Sequence, residues 1–303
     1  MFLVLVVLCV MVTVLSDKFF TASNLLNVAR QTSINGILAI GISFVIMTGG
    51  IDLSVGSILA FTAAVTCTFI VDGMNPVLAT LIGLIIGIAI GLFSGIFVAK
   101  LRIAPFIATL ATMTIFRGLT LVYTGGMPVT GLDSGFLLIG AGYLGPIPLP
   151  VIIMVVVLAL AWFVQRKTKF GRYVYAIGGN ESAAKLSGIQ VDRVKIAVYG
   201  ISGFLCVISG LITATRIDSA QPLAGDGAEL DAIAAVVIGG VSLDGGKGSV
   251  IGVVVGALII GVINNALNLL DVSPYYQKTV KGLVILLAVV IDRLSQRRAE
   301  VAK

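Results

Sequence analysis

The chain has 303 residues, 58% of them hydrophobic and only 11% charged, against about 25% charged in an ordinary soluble domain. That deficit excludes a soluble globular protein, because too few polar groups remain to cover one of this size; the solvent for most of the chain is lipid. The net charge is +6 and there is no histidine, which removes the commonest general base and the commonest metal ligand.

Apolar runs of membrane length predict about ten spans. They cover residues 2–15, 25–48, 52–70, 77–99, 104–122, 150–165, 196–214, 228–241, 250–269 and 276–292. Runs this uniform predict helices, since barrel strands would alternate apolar and polar residues. The expected fold is an all-α integral membrane protein, one transmembrane domain over residues 1–303. Several runs are shorter than ~20 residues, which predicts tilted, broken or re-entrant helices.

The first run has no basic residue ahead of it and no small-residue cleavage site in "VLSDKFF", so it reads as a retained span rather than a secretory signal. In the second, Asn24, Asn27, Gln31 and Asn35 recur at steps of three and four and form one stripe. Such amides serve either as glue between helices or as the lining of a path for a neutral, hydroxyl-rich solute. Between the second and third runs, "MTGGIDLSVGS" breaks the oil with glycines and Asp52. Asp52 has two uses: capping the third helix, or lining the inner end of a pathway beside a discontinuous helix.

Residues 123–150 form a glycine- and proline-rich external loop, and residues 165–195 a long basic internal one. In the internal loop Asn180 is placed to cap a short helix, Glu181 and Ser182 suit its first turn, and Gly188 suits a left-handed stop. A short capped helix on that side is shaped for docking into another protein. "SLDGGKGS" at 242–249 resembles a phosphate loop, but Val241 and Gly248 stand where that motif needs glycine and Ser or Thr. It reads as a tight turn and not as an ATP site on this chain. Asp226 and Glu229, spaced Asp-x-x-Glu, predict a box-like cap on the eighth span; with Arg216 and Asp218, Asp226 is also a candidate contact for an external partner.

Asn264, Asn265 and Asn268 repeat the amide pattern in the ninth span, and Lys281 enters the tenth. An intramembrane cation is either functional or snorkels outward. "GLFSGIFVAKLRIAPF" and "GVINNALNLLDVSPYY" resemble one another as helix–turn–proline units and suggest an inverted repeat. Cys9, Cys67 and Cys206 lie in apolar runs without paired spacing and read as core residues; no cluster has metal-ligand spacing.

With both termini inside, fourteen of the 20 basic residues face the cytoplasm, as the positive-inside rule requires. They are Lys100, Arg102, Arg166, Lys167, Lys169, Arg172, Lys185, Arg193, Lys195, Lys247, Arg293, Arg297, Arg298 and Lys303. The charge lines one membrane face, so no nucleic acid is required to explain it.

"TGGIDLSVGS", "GGNESAAKLSGI", "SAQPLAGDGAELDAIAAVVIGG", "GGKG" and "LNLLDVSPYYQ" follow one another in order along essentially the whole chain. In this the chain resembles the membrane permease subunits of bacterial ABC importers of the ribose/monosaccharide family; galactose, inositol and autoinducer permeases share the pattern. The resemblance implies a multi-pass protein of the bacterial inner membrane, working as a homodimer. It implies a cytoplasmic ATPase subunit carrying ATP and Mg, with no cofactor on this chain and no catalysis by it. It also implies an extracytoplasmic sugar-binding protein. Residues 165–195 become the coupling loop, with Asn180, Glu181, Ser182, Ala183, Ala184 and Gly188 facing the ATPase. Ala183, Ala184 and Gly188 match the importer pattern of Glu-Ala-Ala, three residues, then Gly; Ser182 stands at the glutamate position. Asn27, Gln31, Asn35, Asp52, Asn264, Asn265, Asn268 and Lys281 are the candidate pathway or gate.

Overall fold

A computed structural model describes residues 1–301, with the backbone alone for Ala288 and residues 291–301. The elements in chain order are α1 (Phe2–Leu15), α2 (Ala22–Met47), α3 (Val55–Val71), α4 (Pro76–Ala99), α5 (Pro105–Thr124), β1 (Val129–Thr130), α6 (Ser134–Ala141), β2 (Tyr143–Leu144), β3 (Ile147–Pro148), α7 (Leu149–Lys167), α8 (Lys169–Gly179), α9 (Glu181–Leu186), α10 (Val191–Arg216), β4 (Ser219–Ala220), α11 (Ala228–Ile238), α12 (Val250–Leu269) and α13 (Pro274–Val301). Each predicted apolar run is a helix. Six helices, α2, α4, α5, α7, α10 and α12, are long and apolar enough to cross a membrane. At 1.5 Å per residue α11 extends only about 16 Å, half of a bilayer's hydrocarbon thickness. Of the predicted cytoplasmic basic residues, the side chains of Arg293, Arg297 and Arg298, and Lys303 altogether, lie outside the described residues.

The long helices α2 and α10 form the interior. Their most apolar stretches are 78% and 67% buried, against 22% for α5 and 28% for α7, so α5 and α7 present their oil outward. Packing around this pair is reciprocal. α4 lies along α10 and α12 along α2; α3 packs on α4, α5 and α10, and α11 on α12, α13 and α2. Small residues allow the close approaches: a Cβ on Gly203 of α10 would overlap the Gly87 carbonyl of α4, the packing that membrane helices use in place of a hydrophobic drive. The turns after α4 and α12 also match. Each holds a non-glycine left-handed residue, Arg102 (φ 53°) and Asp271 (φ 51°), three positions before the proline that opens the next helix. Proline suits that place because its fixed φ is helical and its missing N–H has no partner there.

The loop over residues 123–150 is more ordered than its composition suggests. β1 pairs with β4, β2 with β3, and α6 packs against α10. Arg30 of α2 hydrogen-bonds the Tyr143 hydroxyl and lies 5.0 Å from the ring centroid, which ties the small hairpin to the bundle.

Candidate translocation and coupling site

The break between α2 and α3 is largely buried inside the protein. Asp52 is 0% exposed. Its Oδ1 accepts from the Ser54 amide at 3.0 Å and the Ser54 hydroxyl at 2.6 Å; its Oδ2 accepts from Ser202 Oγ of α10 at 2.7 Å. Next to it, the Ile51 carbonyl accepts from Tyr199 of α10 at 3.1 Å and Thr109 of α5 at 3.4 Å. A buried carboxylate is tolerable only when its oxygens are satisfied, and these are. Asp52 therefore does less capping than expected. Ser54 is the N-cap of α3, without a side-chain cap bond, and the acid fastens the break to α10.

A second polar cluster surrounds α11. Arg117 of α5 donates to the carbonyls of Pro222 and Ala224 at 2.8 and 2.9 Å, pinning the segment ahead of the helix. There Gly56 and Gly225 touch backbone to backbone, and a Cβ on Gly56 would overlap the Gly225 carbonyl. The expected Asp226 cap does not form. Gly227, at φ 77°, is the N-cap and makes no side-chain bond, while Asp226 points to Lys278 at 3.9 Å. One turn on, Asp231 is 8% exposed and pairs with Lys281 of α13 at 2.7 Å. Asn264 Nδ2 lies 3.5 Å from the same carboxylate oxygen, and its Oδ1 is buried without a protein partner. Lys281 is thus held by an acid rather than left to snorkel. Asp231 was missing from the sequence candidates; two opposite charges inside predicted spans were the available signal, since such charges must pair.

The amide stripe divides. Asn24 and Asn265 exchange two hydrogen bonds, 3.0 and 2.8 Å, and Gln277 donates to Asn268 at 2.9 Å; these join helices. Among the described residues, Asn27, Gln31 and Asn35 make no side-chain hydrogen bond. Asn27 is exposed, and Gln31 and Asn35 are half-buried. Just after α10, Asp218 accepts from the Leu132 amide at 3.3 Å, and Arg216 is half-buried at the end of that helix.

At the opposite end from the Asn24–Asn265 pair, three segments knot together. Gly246 N donates to the Met47 carbonyl at 3.0 Å, Tyr175 of α8 donates to the Gly248 carbonyl at 2.6 Å, and buried Gln165 accepts from Val250 N at 3.2 Å. Gly178 of α8 sits so close to Met47 that a Cβ would overlap its carbonyl oxygen. α8, hidden to sequence reading inside a "loop", thereby touches both the α2–α3 break and the glycine turn before α12. The short helix follows as predicted: Asn180 Oδ1 accepts from Ala183 N at 2.9 Å, Gly188 has φ 82°, and Glu181 pairs with Lys195 at 2.6 Å. Ser182 and Ala183 are exposed. Ala184 differs from expectation. It is 4% exposed and belongs to the chain's own core, while Leu186 stands 89% exposed beside it. With one buried position in a two-turn helix, the opposite face is exposed. Among the described residues, no group of three or more His, Cys, Asp or Glu is placed to hold a metal ion.

A bundle of apolar helices with buried polar breaks and an ordered, basic helical loop at one end defines a multi-pass membrane permease. The comparisons place it: residues 24–289 match the family described as "Branched-chain amino acid transport system / permease component", and the chain belongs to this family of importer permeases. The chain is 55% identical over 294 residues to the ribose import permease protein RbsC of Bacillus subtilis (strain 168), covering 96% of this chain and 91% of that one. To RbsC of Escherichia coli (strain K12) it is 51% identical over 296 residues, 96% and 92% of the two chains. To the D-allose transport system permease protein AlsC of the same strain it is 40% identical over 294 residues, 97% and 90%. No solved structure matches the chain.

Proposed function

We propose that this chain is the membrane-spanning subunit of an ATP-driven importer that carries a monosaccharide, ribose, into the bacterial cytoplasm. The observation that carries the reading is identity above half to a ribose import permease along nearly the full length of both chains. ATP and Mg belong to a separate ATPase subunit, the sugar arrives on an extracytoplasmic binding protein, and two copies of the chain assemble together. Ten spans with both termini inside agree with the basic end of the bundle, where Lys100, Arg102, Arg166, Lys167 and Lys185 gather. The reciprocal packing of α2–α5 and α10–α13, with their matched proline turns, supports an inverted repeat.

In this reading α9 meets the ATPase through Ala183 and Leu186, and the α8 knot passes its motion to the α2–α3 break and the turn before α12. Asn27, Gln31, Asn35 and Asn264, which have hydrogen-bonding capacity to spare, line the path, and Asp52 holds its inner gate. Arg216 and the 217–227 segment, with Asp218 and Asp226, face the binding protein. The test is reconstitution in proteoliposomes with the ATPase and binding protein. Ribose uptake should require both partners and internal ATP. Uptake by the chain alone on a proton or sodium gradient would overturn the reading. A second sugar is favoured by the allose permease at 40% identity; competition between labelled ribose and allose separates the two.

A further inference from the structure

Between the α4–α5 turn and α9 lies a recess of about 470 Å³. Arg102 lines it from the turn, Ser182 and Lys185 from α9, and Lys195 from the start of α10. Its one acid, Glu181, is taken by Lys195 at 2.6 Å. Arg102 and Lys185 have no ion-pair partner among the described residues, so the recess holds two positive charges in excess. Arg102 reaches it from a left-handed backbone, φ 53°, a conformation that costs any residue but glycine.

The surface beside the recess is apolar. Leu101, Phe106 and Ile107 are 61%, 53% and 60% exposed on the same turn and the first turn of α5. A basic recess bordered by exposed oil, where membrane helices end, has the outline of a phospholipid: acyl chains against Leu101, Phe106 and Ile107, and the phosphate between Arg102 and Lys185. A soluble phosphate would have no use for the apolar border. The surface of α9 that carries Leu186 lies outside the recess and remains open to a protein.

We propose that this recess binds the phosphate headgroup of an anionic phospholipid of the cytoplasmic leaflet. The inference rests on the reading above that this end of the bundle faces the cytoplasm. The lipid would bridge α9 to the α4–α5 turn, making bilayer composition a determinant of how firmly the short helix is held.

The test uses the assembled importer in nanodiscs of phosphatidylcholine with a minor share of phosphatidylglycerol. Lipid retained after detergent extraction is measured by mass spectrometry. The wild type should retain phosphatidylglycerol, and retention should fall at high salt. Arg102→Gln and Lys185→Gln should each weaken it about fivefold. Arg193→Gln, basic and exposed on α10 outside the recess, should leave it unchanged. Thermal midpoints of the variants identify any that misfold, and protection of Lys185 from acylation by phosphatidylglycerol in the unmutated protein supplies a second readout. Equal retention by the Arg102→Gln/Lys185→Gln double variant would overturn the proposal. Protection of Lys185 by inorganic phosphate alone, at matched concentration, would assign the recess to a soluble phosphate instead. Release of the ATPase subunit with lipid still retained would make it a protein seam. Retention is read without transport, so a failed ribose assay and a failed lipid assay are separate results.

Discussion

Ser202 of α10 gives its hydroxyl hydrogen to Asp52 Oδ2 across 2.7 Å in a site closed to solvent. The bond joins the break between α2 and α3 to the middle of α10. Ser202→Ala leaves a buried carboxylate oxygen without its partner, at a cost of about 1–3 kcal/mol. The thermal midpoint of the purified protein should drop measurably. Ser202→Thr, which keeps the hydroxyl, should recover part of the loss if its methyl is accommodated.

Lys281 and Asp231 answer to the same logic with charge. Removing one partner of a buried pair costs about 3–5 kcal/mol. The Lys281 side chain keeps 32% of its exposure, so screening lowers the expectation to about 1–3 kcal/mol for Lys281→Met. Asp231→Asn combined with Lys281→Met should be less harmful than the sum of the single changes. A double-mutant cycle on unfolding midpoints gives the coupling; simple additivity would mean that the pair contributes nothing.

Gly178→Ala tests the knot. The new Cβ would overlap the Met47 carbonyl oxygen, forcing α8 away from the end of α2. The spans should still insert, because α8 lies outside the apolar runs. The expected outcome is an assembled importer whose ATPase turns over with sugar uptake reduced at least several-fold. Wild-type uptake per ATP would show that α8 transmits nothing.

On α9, the two exposed and buried positions should behave differently. Leu186→Asp should weaken co-purification of the ATPase while leaving the chain's own midpoint unchanged. Ala184→Trp overfills the chain's own core, at about 1–3 kcal/mol, and should lower that midpoint. Gly188→Val strains a left-handed position by about 1–2 kcal/mol and should loosen the turn back to α10.

The apolar helices were readable because an apolar run of that length has no other home than a helix in lipid. The cap at Asn180 and the left-handed Gly188 were readable because their signals are local. α6 and α8 were not: each is held by tertiary contacts, α6 by α10 and α8 by Met47, Gly246 and Gly248, and glycines at both ends of α8 made the segment look like a loop. The direction in which Ala184 points was equally hidden, since a two-turn helix is too short to display a periodic apolar face. The asparagines were ambiguous for another reason. Gluing and lining amides have the same composition, and only the partner across the helix boundary, such as Asn265 for Asn24, tells them apart.

The reciprocal packing of α4 on α10 and α12 on α2 bears on how the chain is born. The first half leaves the ribosome with its central helix α2 lacking α12, and α4 lacking α10. Each of these faces stays uncovered until its partner from the second half has been made. Completion of the fold therefore waits on contacts far apart in sequence, between α4 and α10 and between α2 and α12, rather than on the order in which the spans enter the membrane.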